Sequence, residues 1–377
     1  MLLLNLAQLT PAMATADFGG WFHDLSPFAF RISGGFGIRW YGLSYAMGFL
    51  AAYMLLRMLA KRSATEIPLA RAADAMMYFI LGVLIGGRLF YVIGYEPHLL
   101  TDFSSSAPWW GVLAINRGGM ASHGGIVGVA FACWRISRGF RTETGKIVGR
   151  TTPLNILDTA AMMTPLGLFF GRVANFINAE LLGAVVTKPG EHAPWWAVRY
   201  PQEILSLPDD KLVQTPEQMQ QIAELSMMHM LPSDVDWIQG YERVLEQIQK
   251  GNDGLLAQLE PLIAARYPTQ LIQAGLDGLL VFVCVWIVAM KPRKPGIVAG
   301  VFGIVYALGR IPMDLIRLPD TGVSQFGAIT RGQVYSGLTL LAGMALVFWG
   351  MRTKAPKHGG WLKSNQSQSS EPENDSE

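Results

Sequence analysis

A chain of 377 residues of which 51% are hydrophobic and only 15% charged falls well below the roughly 25% charged residues of an ordinary soluble domain. Its mean hydropathy is positive. Its net charge of +2 is not gathered into a basic face interleaved with aromatics, which argues against a nucleic-acid partner. The composition is that of an all-α integral membrane protein lying in a lipid bilayer.

In chain order, Met1–Ala14 is short and apolar, but no Lys or Arg precedes Arg31, so the basic leading region of a secretory signal is missing. Residues 1–40 are expected to form an interfacial, extracytoplasmic arm. Apolar stretches near the 20 or so residues needed to cross a bilayer run Tyr41–Ala60, Asp74–Gly94, Met120–Ile136, Leu154–Asn175, Leu271–Met290, Ile297–Ile316 and Gln333–Met351, predicting seven transmembrane helices. The first four fall in residues 41–180 and the last three in 267–352. Between them, residues 181–266 are polar with helical patterns at Pro216–Met230 and Trp237–Lys250, which predicts an extracytoplasmic helical cap. Residues 353–377 form a cytoplasmic tail, low in complexity and expected to be disordered from Ser364.

Orientation follows from basic residues, which short cytoplasmic loops retain. One set of span ends carries fifteen Lys and Arg, among them Lys61, Arg62, Arg135, Arg138, Lys291, Arg293, Arg352 and Lys354. The other set carries five, namely Arg31, Arg39, Arg117, Arg317 and Arg331. The N-terminus is therefore expected outside and the C-terminus in the cytoplasm. Cys133 and Cys284 both fall inside spans, where they read as small buried hydrophobes.

Four constellations are expected to converge on the outer half of the membrane. Gly171-Arg172-Val173-Ala174-Asn175-Phe176-Ile177-Asn178-Ala179-Glu180 ends the fourth span. Helical spacing of three, seven and eight would place Arg172, Asn175 and Ala179 or Glu180 on one face. Tyr306, Arg310 and Asp314, spaced four and four in the sixth span, share a stripe, and Arg310 with Asp314 could simply be an internal ion pair. Arg88 follows the Gly82, Gly86, Gly87 stripe, whose glycines suit close helix packing. His123 stands in Gly118-Gly119-Met120-Ala121-Ser122-His123-Gly124-Gly125, where glycines permit close backbone approach. Trp40-Tyr41-Gly42 and Tyr267-Pro268-Thr269-Gln270 open the first and fifth spans and could equally be an aromatic belt.

An arginine at membrane depth is costly unless it faces a cavity, a partner or a charged ligand. Two or three of them suit a phosphate, which the guanidinium fork matches, and a site reached from lipid suits a phospholipid headgroup. Neighbouring positive charge would hold His123 neutral, as a general base requires. The scattered histidines have no metal-ligand spacing, and no cofactor is implied.

The block from Gly171 to Gly183, with Trp40-Tyr41-Gly42, His123-Gly124-Gly125, the Tyr306/Arg310/Asp314 stripe and Thr330-Arg331-Gly332-Gln333, resembles the prolipoprotein diacylglyceryl transferases of bacterial inner membranes. The resemblance spans nearly the whole chain in order, apart from the cap and tail. It implies transfer of a diacylglyceryl group from phosphatidylglycerol to the lipobox cysteine thiol of a preprolipoprotein, with release of glycerol phosphate. Carried over by position, Arg172 and Arg310 would hold the phosphate and His123 would be the base. Asn175, Glu180 and Gly183 would shape the headgroup site, and Tyr41, Tyr306, Asp314, Arg88 and Gln270 would line or bind it. Three departures stand out. Asp314 occupies a position usually held by Glu. The segment Tyr267-Pro268-Thr269-Gln270-Leu271-Ile272-Gln273 replaces a usual His-Pro-x-Gln-Leu-Tyr-Glu. The cap is longer than usual. A catalytically idle relative that binds lipoprotein signals, and a lipid or anion transporter, are the alternative readings.

Overall fold

The computed structural model describes residues 18–33, 36–114, 118–318 and 331–362, with His123 described by its backbone alone. Met1–Ala14, Thr330 and the tail from Ser364 to Glu377 lie outside the described residues.

Six helices among the described residues are long and apolar enough to cross a membrane: Trp40–Lys61, Leu69–Gly94, Pro153–Ile177, Thr269–Val288, Ile297–Ile316 and Gly332–Arg352. The third expected span, Met120–Ile136, forms a shorter helix than the other six. Gly118 and Gly119 adopt φ of 85° and 82°, Ala121 is extended, and the helix begins only at Ser122, running 16 residues to Ser137. At 1.5 Å per residue that is about 24 Å, against a hydrocarbon core of about 30 Å.

The first elements are β1 (Trp21–Phe22), a hairpin of β2 (Phe28–Ser33) and β3 (Phe36–Arg39), and then α1 (Trp40–Lys61), α2 (Ala72–Gly94) and α3 (Ser122–Ser137). A short ribbon of β4 (Phe140–Arg141) and β5 (Ile147–Val148) leads to α4 (Pro153–Ile177). The segment after it holds β6 (Val185–Thr187), β7 (Val198–Arg199), α5 (Glu203–Ser206), α6 (Pro216–Met227), α7 (Trp237–Gln249), α8 (Asp253–Leu259) and β8 (Ala265–Arg266). The fifth span is composite, with α9 (Thr269–Gln273), a π-helical stretch Ala274–Leu280 and α10 (Val281–Val288). The chain closes with α11 (Ile297–Ile316) and α12 (Arg331–Arg352). By internal contacts it divides into two compact units. One holds residues up to Ala46 with Phe169–Leu276 and Gly309–Ser336, and the other holds Met47–Leu168, Asp277–Leu308 and Gly337 onward.

In the first unit, the segment expected to be a helical cap contributes β6, β7 and β8 to a four-stranded sheet of order β1-β7-β8-β6, whose edge strand β1 comes from the N-terminal arm, with β1 parallel to β7 and the other pairs antiparallel. Its two central strands come from a repeated pentad, Ala197-Val198-Arg199-Tyr200-Pro201 and Ala264-Ala265-Arg266-Tyr267-Pro268. They pair with Val198 opposite Arg266 and Arg199 opposite Ala265, and each run ends in a proline that cannot donate to a ladder. Strands this short leave little helical periodicity to contradict, which is why the pattern read as helix alone. The helices are placed as expected. Thr215 with Gln218 and Asp236 with Gln239 form capping boxes that start α6 and α7. The two helices bury Ile222 and Leu225 against Tyr241, Val244, Leu245 and Ile248.

Both arginines of the pentads are fully buried. Arg199 donates to the carbonyls of Ile263 at 2.7 Å, Glu191 at 2.8 Å and Phe18 at 2.9 Å, and burial presses its guanidinium below the usual pKa. Arg266 pairs with the equally buried Glu203 at 2.5 Å and reaches the Gly183 carbonyl at 3.3 Å.

In the second unit, Leu56, Phe79, Cys133, Ile136, Ile156 and Met163 form a buried core. Helices α2 and α3 meet backbone to backbone. A Cβ on Gly128 would lie 1.8 Å from the Gly82 carbonyl oxygen and one on Gly124 2.2 Å from that of Gly86, so the glycine stripe is a packing device as expected. Residues 353–362, assigned from sequence to the tail, are folded back. His358 exchanges backbone hydrogen bonds with Arg293 at 2.8 and 3.0 Å, and the Trp361 indole donates to the Trp286 carbonyl at 2.9 Å. Asp158, near the start of α4, accepts from Gly296 and Ala299 amides at 2.8 Å and contacts His358 at 3.1 Å, capping α11.

Glu203→Ala leaves Arg266 charged, buried and unpaired, which costs about 3 to 5 kcal/mol. The expected outcome is a large drop in the thermal unfolding midpoint of the purified protein in detergent.

Candidate active site

Helix α4 stops at Ile177, so Glu180 is not delivered by helical spacing. The chain turns back on itself, with Ala179 and Leu181 in the left-handed region at φ 51° and 57°. Such non-glycine residues cost of order 1 to 3 kcal/mol each and persist where the surroundings over-determine them. Here the Ala179 amide bonds the Phe176 carbonyl at 3.0 Å and the Glu180 amide bonds that of Asn175 at 2.9 Å. Phe176, Ala179 and Leu182 are buried with Val198 and Tyr200 of the sheet region. The reversal brings Glu180 Oε2 to 2.9 Å from the Asn175 carboxamide nitrogen, which donates to it.

A second layer fixes that turn. Gln270, fully buried at the start of the fifth span, donates to the Glu180 carbonyl at 2.5 Å and accepts from the Tyr200 hydroxyl at 3.1 Å. Thr269 Oγ1 donates to the Leu181 carbonyl at 2.9 Å. Tyr41, at the start of α1, interacts through its hydroxyl with Asn175 and Tyr45 and lies in the field of Glu180. Tyr41, Asn175, Glu180 and Gln270 therefore form one connected polar network. Gly183 is required by the crowding around it, because a Cβ there would stand 2.3 Å from the Tyr267 carbonyl oxygen. On either side of it the chain pairs with the end of α11, through Ala184 to Ile316 at 2.8 Å and Leu318 to Leu182 at 3.0 Å. Glu180 remains exposed at the surface of the protein. Partial desolvation of its carboxyl raises the pKa, against the hydrogen bond from Asn175.

Within α11, Arg310 and Asp314 do form an ion pair, at 3.4 Å between Nη2 and Oδ1, with both side chains largely buried. It is incomplete. Arg310 Nη1 and Asp314 Oδ2 are buried without a hydrogen-bond partner. Gly332, in the first turn of α12, packs so closely on this carboxylate that a Cβ would come within 2.7 Å of Oδ2, which sets the negative charge at a helix N-terminus. Tyr306, four residues before Arg310, stacks on Phe302 at 6.0 Å. Arg172, three residues before Asn175 on α4, is half-buried.

Arg88 is engaged differently. Its guanidinium, 5% exposed, donates to the backbone carbonyls of Val112 at 2.8 Å, Gly118 at 2.7 Å, Gly119 at 2.8 Å and Gly111 at 2.6 Å. Four of the five N–H groups of the fork are thus taken by the segment leading into α3, instead of facing a ligand as the sequence suggested. Gly119 must be glycine, since a Cβ would lie 2.5 Å from the Tyr91 ring and 2.7 Å from Arg88 Nη1. His123 lies in the first turn of α3, and its imidazole lies outside what is described.

The family profile described as prolipoprotein diacylglyceryl transferase matches residues 27–349. The chain belongs to this family. Among its relatives, the phosphatidylglycerol--prolipoprotein diacylglyceryl transferase of Bdellovibrio bacteriovorus is 38% identical over 356 residues, covering 91% of this chain and 97% of that protein. The identically named proteins of Stenotrophomonas maltophilia and Solidesulfovibrio magneticus are 33% and 31% identical, covering 89% and 85% of this chain and 95% and 91% of those proteins.

In this member of the family, several buried polar residues around the turn escaped the sequence reading. His23 Nε2 donates to the Phe176 carbonyl (2.8 Å) and its Nδ1 meets the Gln202 carboxamide nitrogen at 3.1 Å, and burial lowers its pKa. Tyr200 is fully buried, and burial pushes its phenol upward. The repeated Ala-x-Arg-Tyr-Pro pentad was the available signal for Arg199, Tyr200 and Arg266.

Because the Glu180 pKa is raised on folding, its ionisation opposes the folded state once pH climbs above the ordinary carboxylate range. Its contribution is most favourable below that range and is lost as pH rises through the raised value. Glu180→Gln keeps an acceptor for Asn175 and should flatten this loss, seen as a smaller difference in unfolding midpoint between pH 5 and pH 8 than in the wild type. Arg88→Lys cannot serve four carbonyls with one ammonium. It should lower the unfolding midpoint and speed hydrogen exchange in residues 111–121 while leaving lipid affinity within about twofold, as expected of a group bonded to backbone and not to ligand.

Proposed function

We propose that the protein transfers the diacylglyceryl group of phosphatidylglycerol to the thiol of a lipobox cysteine in a preprolipoprotein, forming a thioether and releasing glycerol phosphate as the first step of bacterial lipoprotein maturation. Family membership and the names of relatives up to 38% identical support the reaction. The observation that supports its location is the incomplete Arg310–Asp314 pair, with a buried guanidinium N–H left without a partner. An anion completes it, since a buried charged donor left unmade carries its full desolvation penalty.

On this reading Arg310 and Arg172 hold the phosphate. The network of Tyr41, Asn175, Glu180 and Gln270, with Gly183 and Tyr306, shapes the headgroup site. His123 takes the proton of the incoming thiol, whose ordinary pKa near 8.5 needs little lowering. The sulfur attacks the glyceryl carbon, the C–O bond breaks, and its electron pair passes to the phosphate oxygen. The arginines stabilise the charge that develops there. The nucleophile arrives on the substrate, consistent with Cys133 being buried and Cys284 half-buried in the helices. The excess of basic residues at one set of span ends supports a multi-pass inner-membrane protein with its N-terminus outside, its C-terminus in the cytoplasm and residues 181–266 as an extracytoplasmic cap over the site.

Purified protein in phosphatidylglycerol micelles should attach diacylglycerol to a lipobox peptide and leave the Cys→Ser peptide unmodified, as read by mass spectrometry. Arg310→Ala should reduce turnover by more than about 100-fold. Near-normal turnover in that variant would remove Arg310 from the phosphate site, and lipidation of the serine peptide would refute thiol chemistry.

A further inference from the structure

Gln273 occupies the position where the resembling family usually carries Glu. It closes α9 and abuts the π-helical stretch Ala274–Leu280, a distortion that often marks a working part of a helix. The residue is 1% exposed, yet neither its Nε2 nor its Oε1 has a hydrogen-bond partner. Its neighbour Gln270, one turn earlier, is by contrast engaged at both ends. A buried carboxamide with both ends unmet is a group awaiting something.

Packing gives its level in the bundle. Leu276, three residues on, lies against α11, since a Cβ on Gly309 would sit 3.4 Å from the Leu276 Cβ. The two spans are consecutive and antiparallel, joined by the eight residues between Val288 and Ile297. Stepping back three residues from Leu276 therefore corresponds to stepping forward three from Gly309, and Gln273 stands between the levels of Arg310 and Asp314. Those two side chains carry buried atoms without a hydrogen-bond partner as well, Arg310 Nη1 and Asp314 Oδ2. Donors alone would suit a bare phosphate. Donors from Arg310 and Gln273 beside acceptors from Gln273 and Asp314 suit a ligand that carries hydroxyl groups next to its phosphate.

We propose that Gln273 reads the glycerol hydroxyls of the phospholipid headgroup, together with Asp314, while Arg310 takes the phosphate. This rests on the function proposed above and adds the specificity element to it. The amide can both accept from a hydroxyl and donate to a neighbouring oxygen, and it adds no negative charge near the phosphate. A carboxylate at this position could only accept. The shorter Asp314, by leaving Oδ2 unpaired with Arg310, keeps an acceptor available for the same ligand.

The test is lipid retention by the full chain in detergent, read by native mass spectrometry with phosphatidylglycerol and with phosphatidylethanol of the same acyl chains, which keeps the phosphate and lacks the hydroxyls. The wild type should prefer phosphatidylglycerol by about tenfold or more, as sites built to hydrogen-bond a hydroxyl reject analogues without it. Gln273→Leu should bring that preference to within about twofold by weakening phosphatidylglycerol alone. Gln273→Glu should weaken both lipids through repulsion of the phosphate while keeping the preference. An unchanged preference in Gln273→Leu overturns the proposal, and so does an equal loss for both lipids, the mark of a residue that merely supports the fold. Peptide lipidation is assayed separately, so failure of the transfer reaction is distinguished from failure of headgroup reading.

Discussion

A guanidinium or carboxamide enclosed by apolar helices must be satisfied, and what satisfies each one sorts the buried polar residues of this protein into structural and functional groups. Arg88 is satisfied by four backbone carbonyls of the segment that leads into α3. Arg199 and Arg266 are held by carbonyls and by Glu203, although one nitrogen of each, Arg199 Nε and Arg266 Nη2, is left without a partner. These three hold chain to chain. Arg310 and Gln273 also retain unmet donors, and on the function proposed above a ligand completes them.

The same constraint explains the reversal after α4. A helix that simply continued past Ile177 would turn Glu180, five residues on, well away from Asn175. Turning back through left-handed Ala179 and Leu181 returns the Glu180 amide and carboxylate to Asn175. It also exposes carbonyls of Glu180 and Leu181 to Gln270 and Thr269 of the fifth span. The local backbone strain is held by the burial of Phe176, Ala179 and Leu182, so the small sheet domain serves the site by clamping the turn from behind.

Much of the fold was legible because lipid imposes long apolar runs. The spans read from hydropathy coincide with the observed helices to within a few residues except for the Asp74 start, which the structure extends to Leu69. The third run, Met120–Ile136, is matched to within two residues by α3, which begins only at Ser122 because Gly118, Gly119 and Ala121 leave the helical conformation. The sheet was missed because its strands are two or three residues long, too short for alternation to appear.

The candidate site was legible as a set of residues and not as an arrangement. Arginine, carboxamide and carboxylate in an apolar run are conspicuous in sequence because their desolvation is expensive wherever they lie, and this alone singled out Arg88, Arg172, Arg310 and Asp314. Spacing along a helix also made an Arg310–Asp314 pair one of the open readings, and the structure shows it. Which groups are already satisfied depends on carbonyls and side chains far away in the chain, and only the tertiary structure decides that. It turned Arg88 into a brace, brought Glu180 to Asn175 through a turn, joined Gln270 to Tyr200, and left Gln273 buried with nothing to bond. Sequence sets the cost of a polar group, and packing decides which partner meets it.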